Sequence, residues 1–559
     1  MNPSAVALHR VGLREIAYVL AGLYLLVALA AMWLHSPRVP YADGWRYIAV
    51  LADAPFMDGV LMVSNGHREV LPNTVRWLDL RLFGASQHLQ ILTGIMLLLA
   101  TVLALWHAGR TIATPARAVA MLWATIGLCW LGNARALVHA QESVHAYLVT
   151  LALVCGAGLL AISPRGARDA WVRGLLAGGC GLIATFSFGS GIACFGAFLV
   201  VLWLRRAPLR DVWPVLTCGL LATALLLGAG VGEERVAFAP LTQIERLLRW
   251  LAAPSLYAAW PLLDPAIAAR LPVAQVRALV MPLAEGVIAV TGPTLLARWP
   301  HLLTGTLGAI WLMIASIRCR RAPVRAAVVG LGVAWFAVGV GGLIALARLG
   351  YFDLYPDQLL ASRYVVWSSL FWTGLVFASL SGERTTWQPA VALFLAVLLL
   401  PSQLWMWRYA ERIQQVATPI ATAAAVGVLD PSAPLGENVV TEIRSSLAPL
   451  KARGAAMYAW PEAHWLGRPF NAEAVEIITT DPMTISVFDN QLFPGEQARR
   501  VEFPIPKALA GRWLLQDQDG IVRGLATAEP GNDGRAVGWM RGHHAGKPRV
   551  LVLLKAGGG

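Results

Sequence analysis

The stretch Gly174–Leu204, GLLAGGCGLIATFSFGSGIACFGAFLVVLWL, decides how this chain is built. It carries no charge, and Gly189, Ser190 and Gly191 interrupt it. One helix needs about 20 apolar residues to cross a hydrocarbon core of about 30 Å. At about 31 residues the block is long for one pass and short for two comfortable ones, so its flanks must settle the matter. Arg165, Arg168 and Arg173 precede it; Arg205, Arg206 and Arg210 follow it. Basic residues concentrate on the cytoplasmic side of a membrane, so both ends belong there, and the block crosses twice or enters and returns.

The same rule orders the rest of the chain. Further apolar spans are Ile16–Leu34, Leu89–Trp106, Ala118–Leu131, Val144–Ile162, Trp213–Val231, Leu302–Ile317, Ala327–Ala347, Tyr364–Leu380 and Pro389–Trp407. With two crossings for the block, the pairs Arg10 with Arg14 and Arg110 with Arg117, the cluster Arg318 to Arg325, and Arg384 all fall on the cytoplasmic side. The expected fold is an all-α polytopic bundle of about 11 transmembrane helices over residues 1–407. Its N-terminus is cytoplasmic, and the first apolar run, which lacks a small-x-small cleavage site, is a retained helix. Long extracytoplasmic loops follow at 35–88 and 232–301. Leu241–Leu263 alternates Leu241, Ile244, Leu247, Leu248 and Leu251 with Glu245, Arg246 and Arg249 at helical spacing, which suits helices on the membrane surface.

After Trp407 the pattern changes. Ala410–Val428 and Val439–Lys451 read as a helical extracytoplasmic connector, 408–470. Residues 471–559 then read as a small β-rich soluble domain, with strand-like runs at Val475–Ile478, Thr484–Phe488, Arg512–Leu515, Ile521–Leu525 and Val550–Leu554. Asp519-Gly520 between two of these is a hairpin signal.

Composition agrees with the membrane reading. The chain is 57% hydrophobic and 14% charged, with a mean hydropathy of +0.59. Its net charge of +13 sits in arginine clusters between apolar runs, not on one amphipathic face. The arginines are therefore topology signals, with the lipid bilayer as partner and no nucleic acid. The six cysteines lie in apolar runs or at one cytoplasm-facing end, so no disulfide framework is expected. No Walker loop, H-E-x-x-H or G-x-S-x-G occurs. No cofactor or metal is expected; His543-His544 and Asp517-Gln518-Asp519 read as turn residues. The glycines at Gly178–Gly181 and Gly339–Gly342 lie within spans and read as close-packing positions.

Polar chemistry is richest in the first external loop: Tyr41-Ala42-Asp43-Gly44-Trp45, then Asp53, Asp58 and Asn65-Gly66-His67-Arg68-Glu69. Asp43 follows the first span by about nine residues, between Tyr41 and Trp45, aromatic residues suited to the interface. A carboxylate held there can take a proton from an acceptor hydroxyl or amine. Arg348 closes one span and Arg363 opens another, which puts two guanidiniums at the external headgroup level, where a bidentate fork suits a phosphate. Arg135, His139 and Glu142 add a third polar point on that side, a position that ordinary helix-end polarity also explains.

These features together resemble the GT-C superfamily of membrane glycosyltransferases: an Asp soon after the first helix in a long external loop, about eleven passes, Ser362-Arg363-Tyr364 entering a late helix, and a soluble external C-terminal domain. The resemblance covers roughly Ile16–Trp407 and lies in architecture. It implies transfer of a sugar from a polyprenyl-phosphate donor to a cell-envelope glycan, lipid or protein acceptor, on the outer face of a bacterial inner membrane. It implies Asp43 as the base, and Arg363 with Arg348 or Arg68 as ligands of the donor phosphate. His67, Asp53, Asp58, Arg135 and His139 complete the candidate polar site. Gly44 follows Asp43 where the protein O-mannosyltransferase branch has an Asp-Glu pair, which leaves the acceptor open. A polysaccharide polymerase or ligase of the O-antigen kind would use similar chemistry on diphosphate-linked glycans. A transporter would instead need ionisable residues at mid-membrane and a repeat between halves, and neither is evident. A scaffold for envelope polysaccharide assembly is the other non-enzymatic reading.

Overall fold

The computed structural model describes residues 3–64, 67–228, 239–271, 273–293, 298–381, 387–432, 437–470, 474–476, 483–505, 511–529, 534–542 and 546–553. It is a helical membrane bundle followed by a C-terminal antiparallel sheet. The chain opens with α1 (Pro3–His35). The first long loop holds α2 (Gly44–Leu51), α3 (Phe56–Val60), a small hairpin of β1 (Val63–Ser64) and β2 (His67–Arg68), and α4 (Val70–Phe83). Ser64 pairs with His67, closing the hairpin over Asn65-Gly66, which lie outside the described residues.

The bundle continues with α5 (His88–Ala108), α6 (Thr114–Cys129), α7 (Ala134–Val138), α8 (Ala140–Leu160), α9 (Ala167–Thr185), α10 (Ala193–Leu204) and α11 (Leu209–Leu227). The second long loop carries α12 (Pro240–Leu251), α13 (Ala253–Ala258), α14 (Trp260–Leu263), α15 (Pro265–Ala268) and α16 (Ala274–Thr291). Then come α17 (Trp299–Arg321), α18 (Arg325–Ala347), α19 (Leu349–Leu354), α20 (Val365–Leu380), α21 (Trp387–Leu398), α22 (Leu400–Val426) and α23 (Glu437–Ala452). Among the described residues, nine helical stretches are long and apolar enough to cross a membrane. The decisive block divides into α9 and α10, joined by a short 3₁₀ turn at Gly189–Ile192. Gly191 makes that reversal possible, because a Cβ there would lie 2.1 Å from the Ala184 carbonyl oxygen. Of the glycines read as packing positions, a Cβ on Gly178 would meet Cys218, one on Gly181 Phe195, one on Gly339 Ala193 and one on Gly341 Trp250, whereas Gly179 and Gly342 have nothing within 4 Å and are not packing positions.

Outer helices turn bare aliphatic faces to the lipid, as with Leu303, Leu307, Ile310 and Ile314 of α17. Helix α20 is only 16 residues long but is buried nearly all round, so protein, not lipid, satisfies its apolar surface. Two features of the second loop go beyond the sequence pattern. Helix α16 is itself long and apolar enough to cross. In α12 both arginines point inward: Arg246 and Arg249 are buried together with Trp250 and Leu251, while Leu241, Ile244 and Glu245 are exposed. Arg246 pairs with Asp353 at 2.5 Å, and Arg249 with Glu245 at 2.8 Å and with the Arg298 carbonyl at 3.2 Å. Buried cations need such partners, and the protein rather than the solvent supplies them.

The C-terminal strands are β3 (Ala474–Glu476), β4 (Thr484–Asp489), β5 (Gln497–Pro504), β6 (Arg512–Gln516), β7 (Val522–Ala528), β8 (Arg535–Arg541) and β9 (Arg549–Leu553), ordered β3-β9-β6-β7-β8-β5-β4 and antiparallel throughout. Both faces are apolar. Leu514, Leu525, Val537, Trp539 and Leu551 join one core; Val501, Phe503, Trp513, Leu515 and Met540 join another. The first of these cores also contains Trp45, Tyr47, Ile48 and Leu51 of α2, the C-terminal half of α22, and Ile443, Leu447 and Leu450 of α23. The helix that follows Asp43 is thus cored together with the C-terminal region, apart from the main core of the bundle.

Candidate functional site

Chain ends and starts gather at one end of the bundle: the loop after α1, the α7–α8 junction, the end of α18 and the start of α20. At the α7–α8 junction the chain breaks helix at His139, whose ψ of 98° is extended. This turns the His139 ring between two neighbours. Nδ1 lies 2.8 Å from Glu142 Oε1, and Nε2 lies 3.3 Å from the Tyr41 carbonyl oxygen. Arg135 donates to the same Glu142 oxygen from Nε and Nη2, each at 2.7 Å. Its guanidinium also sits 5.5 Å from the centre of the Tyr41 ring. Three of the sequence candidates are therefore one tightly bonded, largely buried group attached to the loop that carries Asp43.

Asp43 occupies the cap position of α2, yet its carboxylate makes no capping bond. Aspartate at that position ordinarily accepts from the first free amides of the helix, so this carboxylate is left for other use. It is about half exposed and lies 4.0 Å from Arg46. The preceding Ala42 has a φ of +48°, a left-handed conformation unusual for alanine. The turn is held by Gly44 N donating to the Tyr41 carbonyl at 2.9 Å.

Arg363 lies in a short 3₁₀ turn at Ser362–Tyr364, immediately before α20. It donates from Nη2 to Gln358 Oε1 at 3.3 Å and to Tyr351 Oη at 3.4 Å, and its Nε is buried without a hydrogen-bond partner. Arg348 stands over the ring of the same Tyr351, 5.5 Å from its centre. Neither guanidinium has a carboxylate partner among the described residues. Ser362, next to Arg363, bonds Tyr409 at 2.7 Å, and Tyr409 lies within electrostatic reach of Arg135 and Glu142. Contacts thus run from Arg348 through Tyr351 and Arg363 to the neighbouring Ser362 and Tyr409; Arg135, within electrostatic reach of Tyr409, stands over Tyr41 in the Asp43 turn.

The other candidates lie elsewhere. Asp53 is 71% exposed and faces Arg453 at 3.5 Å. Asp58 is exposed in α3. His67 and Arg68 form β2; the His67 side chain lies outside the described residues, and Arg68 Nε is buried without a partner. Beside them, Glu69 and Arg76 form a buried ion pair at 2.6 Å, and Arg76 lies 3.8 Å over the Tyr47 ring. Burial pushes the Tyr47 phenol up to about 12, so it stays a hydrogen-bond donor at neutral pH. Among the described residues no group of His, Cys, Asp and Glu is placed to hold a metal ion. His543-His544 lies outside them; Asp517 caps its turn, accepting from the amides of Asp519 and Ile521.

Tyr351, Gln358 and Tyr409 are absent from the sequence reading, as are Arg46 and Glu442, and Ser362 enters it only as part of the Ser-Arg-Tyr sequence. These residues are brought to the site by folding and carry no local signal of their own.

Fold and site define a polytopic helical membrane protein with two guanidiniums that have no carboxylate partner among the described residues, and a half-exposed carboxylate, at one end of its bundle. No family model matches the chain, and no curated protein matches it. Solved structures similar to it include the archaeal oligosaccharyltransferase AglB from Archaeoglobus fulgidus, in complex with an inhibitory peptide and a dolichol-phosphate, at 12% identity over 76% of this chain and 59% of that one, with a TM-score of 0.38. Another is ArnT from Cupriavidus metallidurans bound to undecaprenyl phosphate, at 15% identity over 84% of this chain and 92% of that one, with a TM-score of 0.31. At these values neither likeness carries an argument about chemistry.

Proposed function

We propose that this protein is a membrane glycosyltransferase of the GT-C type, which moves a sugar from a polyprenyl-phosphate donor to an envelope acceptor on the external face. The observation that carries the reading is the pairing of Arg348 and Arg363 about Tyr351 with no carboxylate partner among the described residues, Ser362 beside them bonding a Tyr409 that lies within electrostatic reach of Arg135 at the Asp43 turn. Two cations in a half-buried setting with no counter-ion among the described residues favour an anion of matching shape, and a planar fork suits a phosphate.

The chemistry then follows. The acceptor hydroxyl or amine attacks the anomeric carbon, the bond from that carbon to the phosphate oxygen breaks, and the electron pair leaves with the phosphate. Arg363 and Arg348 stabilise the charge that builds on the leaving oxygen. Asp43 takes the acceptor proton, a role that suits a carboxylate making no capping bond. By the positive-inside rule this end of the bundle faces away from the cytoplasm, and the C-terminal sheet lies on the same side. The polyprenyl chain would rest among lipid-facing apolar helices.

The test is transfer of radiolabelled sugar from a panel of undecaprenyl-phosphate monosaccharides into the envelope fraction, by membranes containing the protein. Transfer from at least one donor, lost in Arg363→Ala, is expected. Equal incorporation by wild type and Arg363→Ala contradicts the reading.

A further inference from the structure

The C-terminal connector reaches into the first loop and grips the helix that begins at Asp43. Glu442 of α23 accepts from Arg46 Nε at 2.6 Å. Ser446, fully buried one turn further on, donates to the Trp45 carbonyl at 3.0 Å. Arg453, just past α23, donates to the Ala52 carbonyl at the other end of α2 and faces Asp53. Between these polar ties, Ile443, Leu447 and Leu450 share a core with Trp45, Ile48 and Leu51. Helix α2 is therefore held along its length by residues nearly 400 positions later in the chain.

Arg46 is the residue that this grip places most pointedly. It lies one turn after Asp43, the spacing at which side chains on a helix meet. It stands 2.6 Å from Glu442 but 4.0 Å from Asp43. Glu442 is also the more buried of the two carboxylates, at 16% against 48% exposed. The Coulomb interaction is stronger at shorter range and away from water, so Arg46 is committed to the connector.

We propose that Glu442 is a positioning residue that keeps Arg46 from closing on Asp43, so that the Asp43 carboxylate stays able to accept a proton. The inference rests on the reading of Asp43 as a base for its functional meaning, but its geometry can be tested without any transfer assay. Without Glu442, Arg46 loses the carboxylate it stands 2.6 Å from, closes on Asp43 and shields it.

The experiment labels the purified full-length protein with a water-soluble carbodiimide and an amine, and measures the rate of Asp43 modification by mass spectrometry. A half-exposed ion pair is worth about 1 kcal/mol at most, or about fivefold. Glu442→Gln is expected to slow Asp43 labelling by up to about fivefold, and Arg46→Gln/Glu442→Gln to restore the wild-type rate. Asp169, on a distant helix, is the internal reference. Unchanged labelling in Glu442→Gln overturns the proposal, and so does a slowing that the double variant does not reverse. If labelling behaves as expected while Asp43→Asn leaves transfer intact, the positioning stands and the base assignment fails.

Discussion

Replacing Glu142 with glutamine keeps the shape of the side chain and removes one charge. In the protein a single oxygen, Oε1, meets Arg135 Nε, Arg135 Nη2 and His139 Nδ1 at 2.7, 2.7 and 2.8 Å. All three partners persist in Glu142→Gln, but each bond falls from charge-assisted to ordinary strength. At about 1 kcal/mol lost per bond, the sum is roughly 3 kcal/mol. Removing one partner of a buried ion pair typically costs about 3–5 kcal/mol, which agrees. The control is Asp169→Asn, whose partner Arg173 lies one turn away at 2.9 Å with both side chains partly exposed; a helix-surface pair of this kind is worth about 0.3–0.5 kcal/mol. Thermal unfolding of the detergent-solubilised full-length protein should shift down by roughly 2–3 °C in Glu142→Gln, because about 2.1 cal/mol/K of unfolding entropy per residue over 559 residues gives just under 1 °C per kcal/mol, and by less than about half a degree in Asp169→Asn. Equal shifts in the two variants would refute the claim that this group is a structural keystone of the site.

Three further outcomes are expected. Arg363→Lys keeps the charge but loses the planar fork, and should weaken binding of undecaprenyl phosphate, measured by native mass spectrometry, about 10- to 100-fold; unchanged binding removes Arg363 from the phosphate role. Asp430, which ties the end of α22 to the sheet, is held below the usual carboxylate range: burial opposes ionisation, but the Ser432 amide and hydroxyl, Trp539 and Arg500 outweigh it. A depressed folded-state value means that its contribution is present above the unfolded value of about 4 and is lost as pH falls through the folded one. The difference in unfolding temperature between wild type and Asp430→Asn should therefore be constant near neutrality and close below about pH 4; a difference that widens on acidification contradicts this. For topology, a reporter fused after Trp407 should be active only outside and one inserted at Ala322 only in the cytoplasm, a pattern in which α16 does not complete a pass; the opposite pattern reverses the assignment of sides.

The membrane bundle was legible because apolar run length and arginine placement are local signals. The Gly174–Leu204 block shows how far they reach: charge at its flanks required an even number of crossings, and a turn at Gly189–Ile192 supplies the reversal. Helix α16 was harder to read because Arg277, Pro282 and Glu285 break its apolar run. Periodicity separated the two faces of α12 but could not say which one meets protein, and the arginine face does. In the sheet, β5 and β8 went unread: Arg499 and Arg500 interrupt the first, and Gly538 interrupts the apolar run of the second. At the site, the candidate residue types were legible but not their pairings. Arg135, His139 and Glu142 sit within one short segment, whereas Ser362 with Tyr409 and Arg46 with Glu442 are brought together only by the tertiary fold.

The central claim, that Asp43 takes the acceptor proton beside a donor phosphate held by Arg363 and Arg348, is tested most directly by transfer from an undecaprenyl-phosphate sugar in membranes carrying Asp43→Asn. Asparagine matches aspartate in size but cannot accept the proton, so transfer should fall by about 10²- to 10⁴-fold, while expression and undecaprenyl-phosphate binding remain at wild-type levels. Asp53→Asn and Asp58→Asn, exposed on the same loop, should retain activity. Full transfer by Asp43→Asn would contradict the account.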